Sequence, residues 1–159
     1  MWLRCHKWAI SFNHEFVIWY FPNQIIPALK AGFIVLSDRY FYSIIARDVL
    51  RGIDSSWARD IYGFALVPDM VLYLKADIDT LVTRIVHGRG FNYWEAGMDI
   101  LKLDNLYDSF REYQTRMIKQ FSIMAKEFNF HTINANLSIK ATNNKIMTHI
   151  QPILDEYNK

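Results

Sequence analysis

The stretch that decides the fold runs from Ile26 to Gly52 and reads IPALKAGFIVLSDRYFYSIIARDVLRG. Ile25 to Ala31 has the composition of a helix end, and Gly32 stands where helices stop. Phe33-Ile34-Val35-Leu36 is an unbroken apolar run of strand length, the pattern of a strand buried on both faces. Phe41 to Leu50 suits a second helix, closed by Arg51 and Gly52. Helix, buried strand and helix in close succession predict an α/β fold with a parallel sheet and flanking helices.

Downstream the alternation continues. Asp54 can cap a short helix from Ser55 to about Tyr62. Pro68-Asp69 punctuates before a second apolar run, Met70 to Leu74, and Asp77 can cap a helix over Ile78 to His87. Gly88-Arg89-Gly90 opens a loop through about Asp99. Leu106, Phe110, Tyr113, Met117, Phe121, Met124 and Phe128 then step by three and four, the stripe of one long helix. A third strand is expected at Phe130 to Ile133. A final helix follows over Ser138 to Tyr157, with Ile139, Ile146, Ile150 and Leu154 on its apolar side.

No repeat, low-complexity tract or linker divides residues 22–159, which read as one domain. Residues 1–21 differ. Trp2, Trp8, Trp19, Phe12, Phe16, Tyr20 and Phe21 crowd there, and such a segment must be buried against something or present a sticky patch.

The balance of residue types excludes several classes. A formal charge of +2 with no block of like charge argues against a nucleic-acid or membrane surface. Cys5 is the sole cysteine, so no intramolecular disulfide can form and a reducing cytoplasm is expected. The longest apolar run near the start stops at Pro22, and Asn13, His14 and Glu15 interrupt any signal-peptide core.

Ligands of parallel sheets bind just beyond the C-terminal ends of the strands. That rule points to Ser37-Asp38-Arg39-Tyr40 and to Lys75, Ala76 and Asp77. The Arg39 fork suits a phosphate bidentately, and the Asp38 carboxylate can order a water on Mg²⁺; the same pair can equally serve as a cap for the next helix. Lys75, Arg84 and Arg89 supply positive charge, of use in phosphoryl transfer or as a solvated face. Arg89, between two glycines, has the better claim to meet a ligand.

Tyr93-Trp94-Glu95 can stack on a base or pack its own loop down. Ser43 and Arg47, one turn apart, share a helix face. The seven-residue stripe is core. Cys5, His6 and His14 are too scattered to make a metal set, and Asn136-Leu137-Ser138 is a glycosylation sequon in form only.

Taken together, residues 26–52 resemble the centre of thymidylate kinases: helix, buried strand, Asp-Arg-Tyr, a serine three residues on and a closing Arg-Gly. PDMVLYLKADIDTLVTRI, Pro68 to Ile85, is similar to their next strand and helix. The loop from Arg89 to Asp99 stands where the family has its lid over ATP. The likeness covers nearly everything after about Gln24.

The resemblance implies a P-loop nucleoside monophosphate kinase fold and the reaction ATP plus dTMP giving ADP plus dTDP, with Mg²⁺. It places Arg39 on the acceptor phosphate, and Asp38 beside the phosphates or, through water, Mg²⁺. Tyr40, Ser43 and Arg47 fall in the acceptor pocket, Arg89 and Arg84 near the ATP phosphates, and Tyr93 and Glu95 over the nucleotide. A homodimer is implied in the same way.

Two departures accompany it. Arg47-Asp48 stands where many members carry a glutamine that reads the thymine, which admits another pyrimidine monophosphate or a larger acceptor. Nor does any stretch match the family's opening strand and G-x-x-x-x-G-K-[ST] phosphate loop. These 159 residues alone are therefore expected to show no appreciable kinase activity, and to be poorly stable for want of a central strand. The alternative is a non-catalytic, kinase-derived module that binds a nucleotide or docks on a partner.

Overall fold

The computed structural model describes residues 21–157, so the aromatic-rich start, apart from Phe21, lies outside the described residues, as do Cys5, His6 and His14. The chain divides into two compact units, one ending at Val67 and the other beginning at Pro68, at the Pro-Asp punctuation.

In the first unit a π-helical turn, Phe21–Ile25, leads into α1, Ile26–Lys30. At its end Gly32 N–H bonds the Leu29 carbonyl and Phe33 N–H bonds that of Ala28, the paired closure expected of a glycine stop. Helices α2, Tyr40–Leu50, and α3, Ser55–Ile61, follow. As expected, Asp54 caps α3, its carboxylate accepting from Ser56 and Trp57 N–H, both at 3.0 Å. The core gathers Phe41, Tyr42, Ile44, Ile45 and Ala46 of α2 against Ala58 and Tyr62, with the Phe41 and Tyr62 rings stacked at 6.1 Å.

The expected strand at Phe33 to Leu36 is not formed. The run is irregular and Leu36 is 89% exposed. An apolar run becomes a doubly buried strand only when neighbouring strands pair with it and helices cover both faces. Among the described residues no strand does so.

The second unit holds a two-stranded parallel sheet of β1, Leu72–Lys75, and β2, His131–Asn134, in register Leu72 to His131 and Lys75 to Asn134. The sheet among the described residues thus has two strands where three were expected. Each begins slightly later than the apolar runs suggested. Between the strands lie α4 (Ile78–Val86), the short α5 (Met98–Leu101) at the end of the predicted loop, and α6 (Leu106–Glu127); α7 (Ile139–Tyr157) is the last described helix.

Asp77 caps α4 by accepting from Thr80 N–H at 2.8 Å, and that bond holds its carboxyl below the usual range. The α6 stripe is core as expected. Phe110, Tyr113, Met117 and Met124 are buried, and Leu106, Phe121 and Phe128 are half-buried. On α7 the expectation holds for Ile146, Ile150 and Leu154, but Ile139, in the first turn, is 88% exposed.

His131 N–H bonds the Val71 carbonyl, and Ala135 N–H that of Lys75. In a parallel ladder alternate residues of a strand face one neighbour. Leu72 and Leu74 therefore turn their backbone groups to the outer edge of β1, which no described strand covers. No helix among the described residues is long and apolar enough to cross a membrane.

Candidate functional site

In the first unit the candidate residues gather at the start of α2. Arg39 is the N-cap, with φ 65° in the left-handed region, and its side chain makes no capping bond. A non-glycine residue there costs about 1–2 kcal/mol. Among the described residues neither Asp38 nor Arg39 uses its side chain in a hydrogen bond or ion pair, and both are exposed. Arg39 thus holds the cap position of the next helix without a side-chain capping bond. A hydrated Mg²⁺ asks for only one or two carboxylates, and the unengaged Asp38 fits that demand.

Tyr40 follows, its ring 4.6 Å from that of Phe41. Ser43 and Arg47 are half-buried on the same helix. Burial pushes the Tyr40 phenol up to about 12, with Tyr42 adding to it; burial and the Asp48 carboxylate do the same to Tyr62, which is 3% exposed. A raised phenol pKa means the fold prefers the neutral ring. Its contribution to stability is complete below the ordinary pKa near 10 and is lost as pH rises from there toward 12. A spectrophotometric titration at 295 nm reads this directly. Tyr40 and Tyr62 should lag toward pH 12, with loss of helical circular dichroism in the same window. Tyr62→Phe should remove one lagging group.

In the second unit a cleft of about 510 Å³ opens at the C-terminal ends of both strands, where the strand-end rule places a ligand. Lys75, Asp77, Thr115, Ile118, Asn134 and Asn136 are among its lining residues. Tyr73 stacks on Phe121 at 5.4 Å, and Lys75 Nζ donates to Ser122 Oγ at 3.1 Å, so this face of β1 meets α6. Asn136 Oδ1 accepts from Asp77 N–H at 2.9 Å, joining the loops that leave the two strands. Arg84 Nη2 donates to the Ala135 carbonyl at 2.7 Å and steadies the same segment.

The loop after α4 does not hang free. Ser109, fully buried, donates to the Ala96 carbonyl at 2.7 Å, and Gln114 Nε2 donates to the Glu95 carbonyl at 2.8 Å. Phe91 packs on Phe110, ring centres 5.0 Å apart. Gly97, at φ 63°, lies against Tyr113. The loop is therefore pinned to α6 at several points.

Within it, Arg89 Nη2 reaches both carboxylate oxygens of Glu95, at 2.5 and 2.6 Å. Two residues singled out separately in the sequence are thus paired with each other. Tyr93 and Trp94 form an edge-on pair at 5.2 Å, both exposed at the loop tip. Sequence reasoning passed over Ser109 and Gln114; a serine one residue before Phe110, on the buried stripe, was the available sign of a buried hydrogen bond.

A sequence model of the family described as thymidylate kinase matches residues 11–146, beginning within the aromatic-rich segment. A probable thymidylate kinase 2 from Saccharolobus solfataricus is 37% identical over 139 residues, 86% of this chain and 63% of its own length. A probable thymidylate kinase from Thermococcus kodakarensis is 32% identical over 133 residues, 83% of this chain and 58% of its own length. The thymidylate kinase of Brachyspira hyodysenteriae is 34% identical over 92 residues, 57% of this chain and 45% of its own. The chain spans about three-fifths of the length of the first two relatives.

Proposed function

Because the chain belongs to the thymidylate kinase family, a family of phosphotransferases, we propose that it carries the acceptor-phosphate and lid residues of an enzyme moving the γ-phosphate of ATP to dTMP. The observation that supports this most is the start of α2. A strained arginine and an adjacent carboxylate stand there with their side chains unengaged by the fold. Strain that returns nothing structurally is characteristic of functional positions.

In this reading Arg39 grips the acceptor phosphate through two parallel N–H bonds. Tyr40, Ser43 and Arg47 line the acceptor, with Arg47-Asp48 leaving room for a pyrimidine other than thymine. Arg89 faces the ATP phosphates and gives up Glu95 to do so, one charge-assisted contact exchanged for another. Arg84, engaged with the Ala135 carbonyl, acts more as a brace than as a ligand. Tyr93 and Glu95 lie nearest the base. Magnesium, when bound, neutralises phosphate charge, and Asp38 is the residue that would orient its water shell. A cytoplasmic location and a homodimer accompany the reading.

The test is complementation. The purified chain is mixed with a polypeptide supplying a strand and the family's phosphate loop, and ADP release is followed with dTMP as acceptor. Turnover that needs both parts and Mg²⁺, and falls at least about hundredfold with Arg89→Ala, supports the kinase reading. Saturable dTMP binding without turnover in any combination would replace it with the non-catalytic module.

A further inference from the structure

Two histidines meet across the packing of α7 on the sheet. His131 opens β2 and His149 lies midway along α7; their ring centres are 4.9 Å apart and their planes 49° apart. Neither ring has a hydrogen-bond partner among the described residues, whereas His87 sets Nδ1 2.8 Å from the Thr83 carbonyl. Two imidazole rings this close, with no hydrogen-bond partner, are within reach of a single metal ion.

The spacing suits that use. With a metal–nitrogen bond of about 2.0–2.1 Å, each imidazole centre lies about 3.2 Å from the ion. Two centres 4.9 Å apart then subtend roughly 100° at the metal, between the octahedral and tetrahedral angles. We propose that His131 and His149 form a two-imidazole site for a divalent ion of the zinc, nickel or copper class, completed by water. Imidazole selects those ions over magnesium, so the site is chemically distinct from the cation of phosphoryl transfer. Among the described residues no cluster of three or more His, Cys, Asp or Glu forms, so the two imidazoles would be the protein's whole contribution to the ligand set. His131 is exposed and His149 half-buried, so an ion can reach both.

The consequence is a clamp. One ligand belongs to the sheet and the other to the last helix, so an ion bound by both favours the state in which α7 is docked.

The proposal is tested on the full chain by calorimetric titration with Zn²⁺ and by thermal melting with and without it. The parent, His131→Ala, His149→Ala and a Cys5→Ser/His6→Ala/His14→Ala variant are compared. The parent and the triple variant should bind one ion and melt higher with it; each single variant should bind more than about tenfold more weakly and lose the shift. Binding unchanged in the single variants, or lost only in the triple variant, overturns the site. A readout without substitution is the Cu²⁺ spin-resonance spectrum of the parent: coupling to two imidazole nitrogens is expected, and its absence counts against the pair.

Discussion

Gly97→Ala should lower the stability of the unit beginning at Pro68 by about 3 kcal/mol or more, a shift of roughly 10–20 °C in its melting temperature. Two costs combine. At φ 63° the backbone is in the left-handed region, where any L-residue with a Cβ is strained. The new methyl would also meet three atoms of Tyr113, the nearest at 2.3, 2.6 and 3.0 Å.

Tyr113 cannot step aside cheaply, because it is 2% exposed in the α6 core. Gly90→Ala separates the two costs. Its φ is 77° with nothing within 4 Å of the added Cβ, so it should cost only about 1 kcal/mol. In a double-mutant cycle Tyr113→Leu should recover part of the Gly97→Ala loss. Equal melting temperatures for the two glycine variants would show that Tyr113 does not press on this loop.

The second large effect is on binding. Arg39→Ala should weaken dTMP binding about hundredfold, since a bidentate, charge-assisted phosphate contact contributes roughly 2–3 kcal/mol. The melting temperature should stay level, because the side chain makes no capping bond. Arg39→Gly should lose the same affinity yet leave stability level or raised by up to about 1 kcal/mol, glycine accepting φ 65° without strain. Opposite signs for binding and stability at one position are hard to obtain from a structural residue. Calorimetry with dTMP beside denaturant melts reads both. A drop in melting temperature with affinity unchanged would return Arg39 to the scaffold.

Much of this architecture was legible because the signals are local. Asp54 and Asp77 cap helices that begin at the next residue, and the Leu106 to Phe128 stripe declares one buried face by its own periodicity. Phe33 to Leu36 misled because hydrophobicity reports what a segment needs, whereas pairing depends on which strands lie beside it. Arg84 was read as either a phosphate-facing cation or part of a solvated helix face, whereas its donor finds a carbonyl fifty-one residues away, a contact no spacing encodes. The Asp38-Arg39 pair was found from the strand-end rule. That its backbone is strained and its side chains unengaged became visible only in three dimensions.

The pairing of β1 with β2 has a consequence in time. Leu72 and its partner His131 are separated by fifty-nine residues of chain. At a synthesis rate of about 5–20 residues per second, β1 leaves the ribosome roughly 3–12 s before its partner is made. Throughout that interval the edge of β1 that β2 will cover is open, and its unpaired backbone offers a template to any other nascent chain. Yield in the cell should therefore depend on how closely ribosomes follow one another on the message, and on holdase chaperones that cover this strand while it waits.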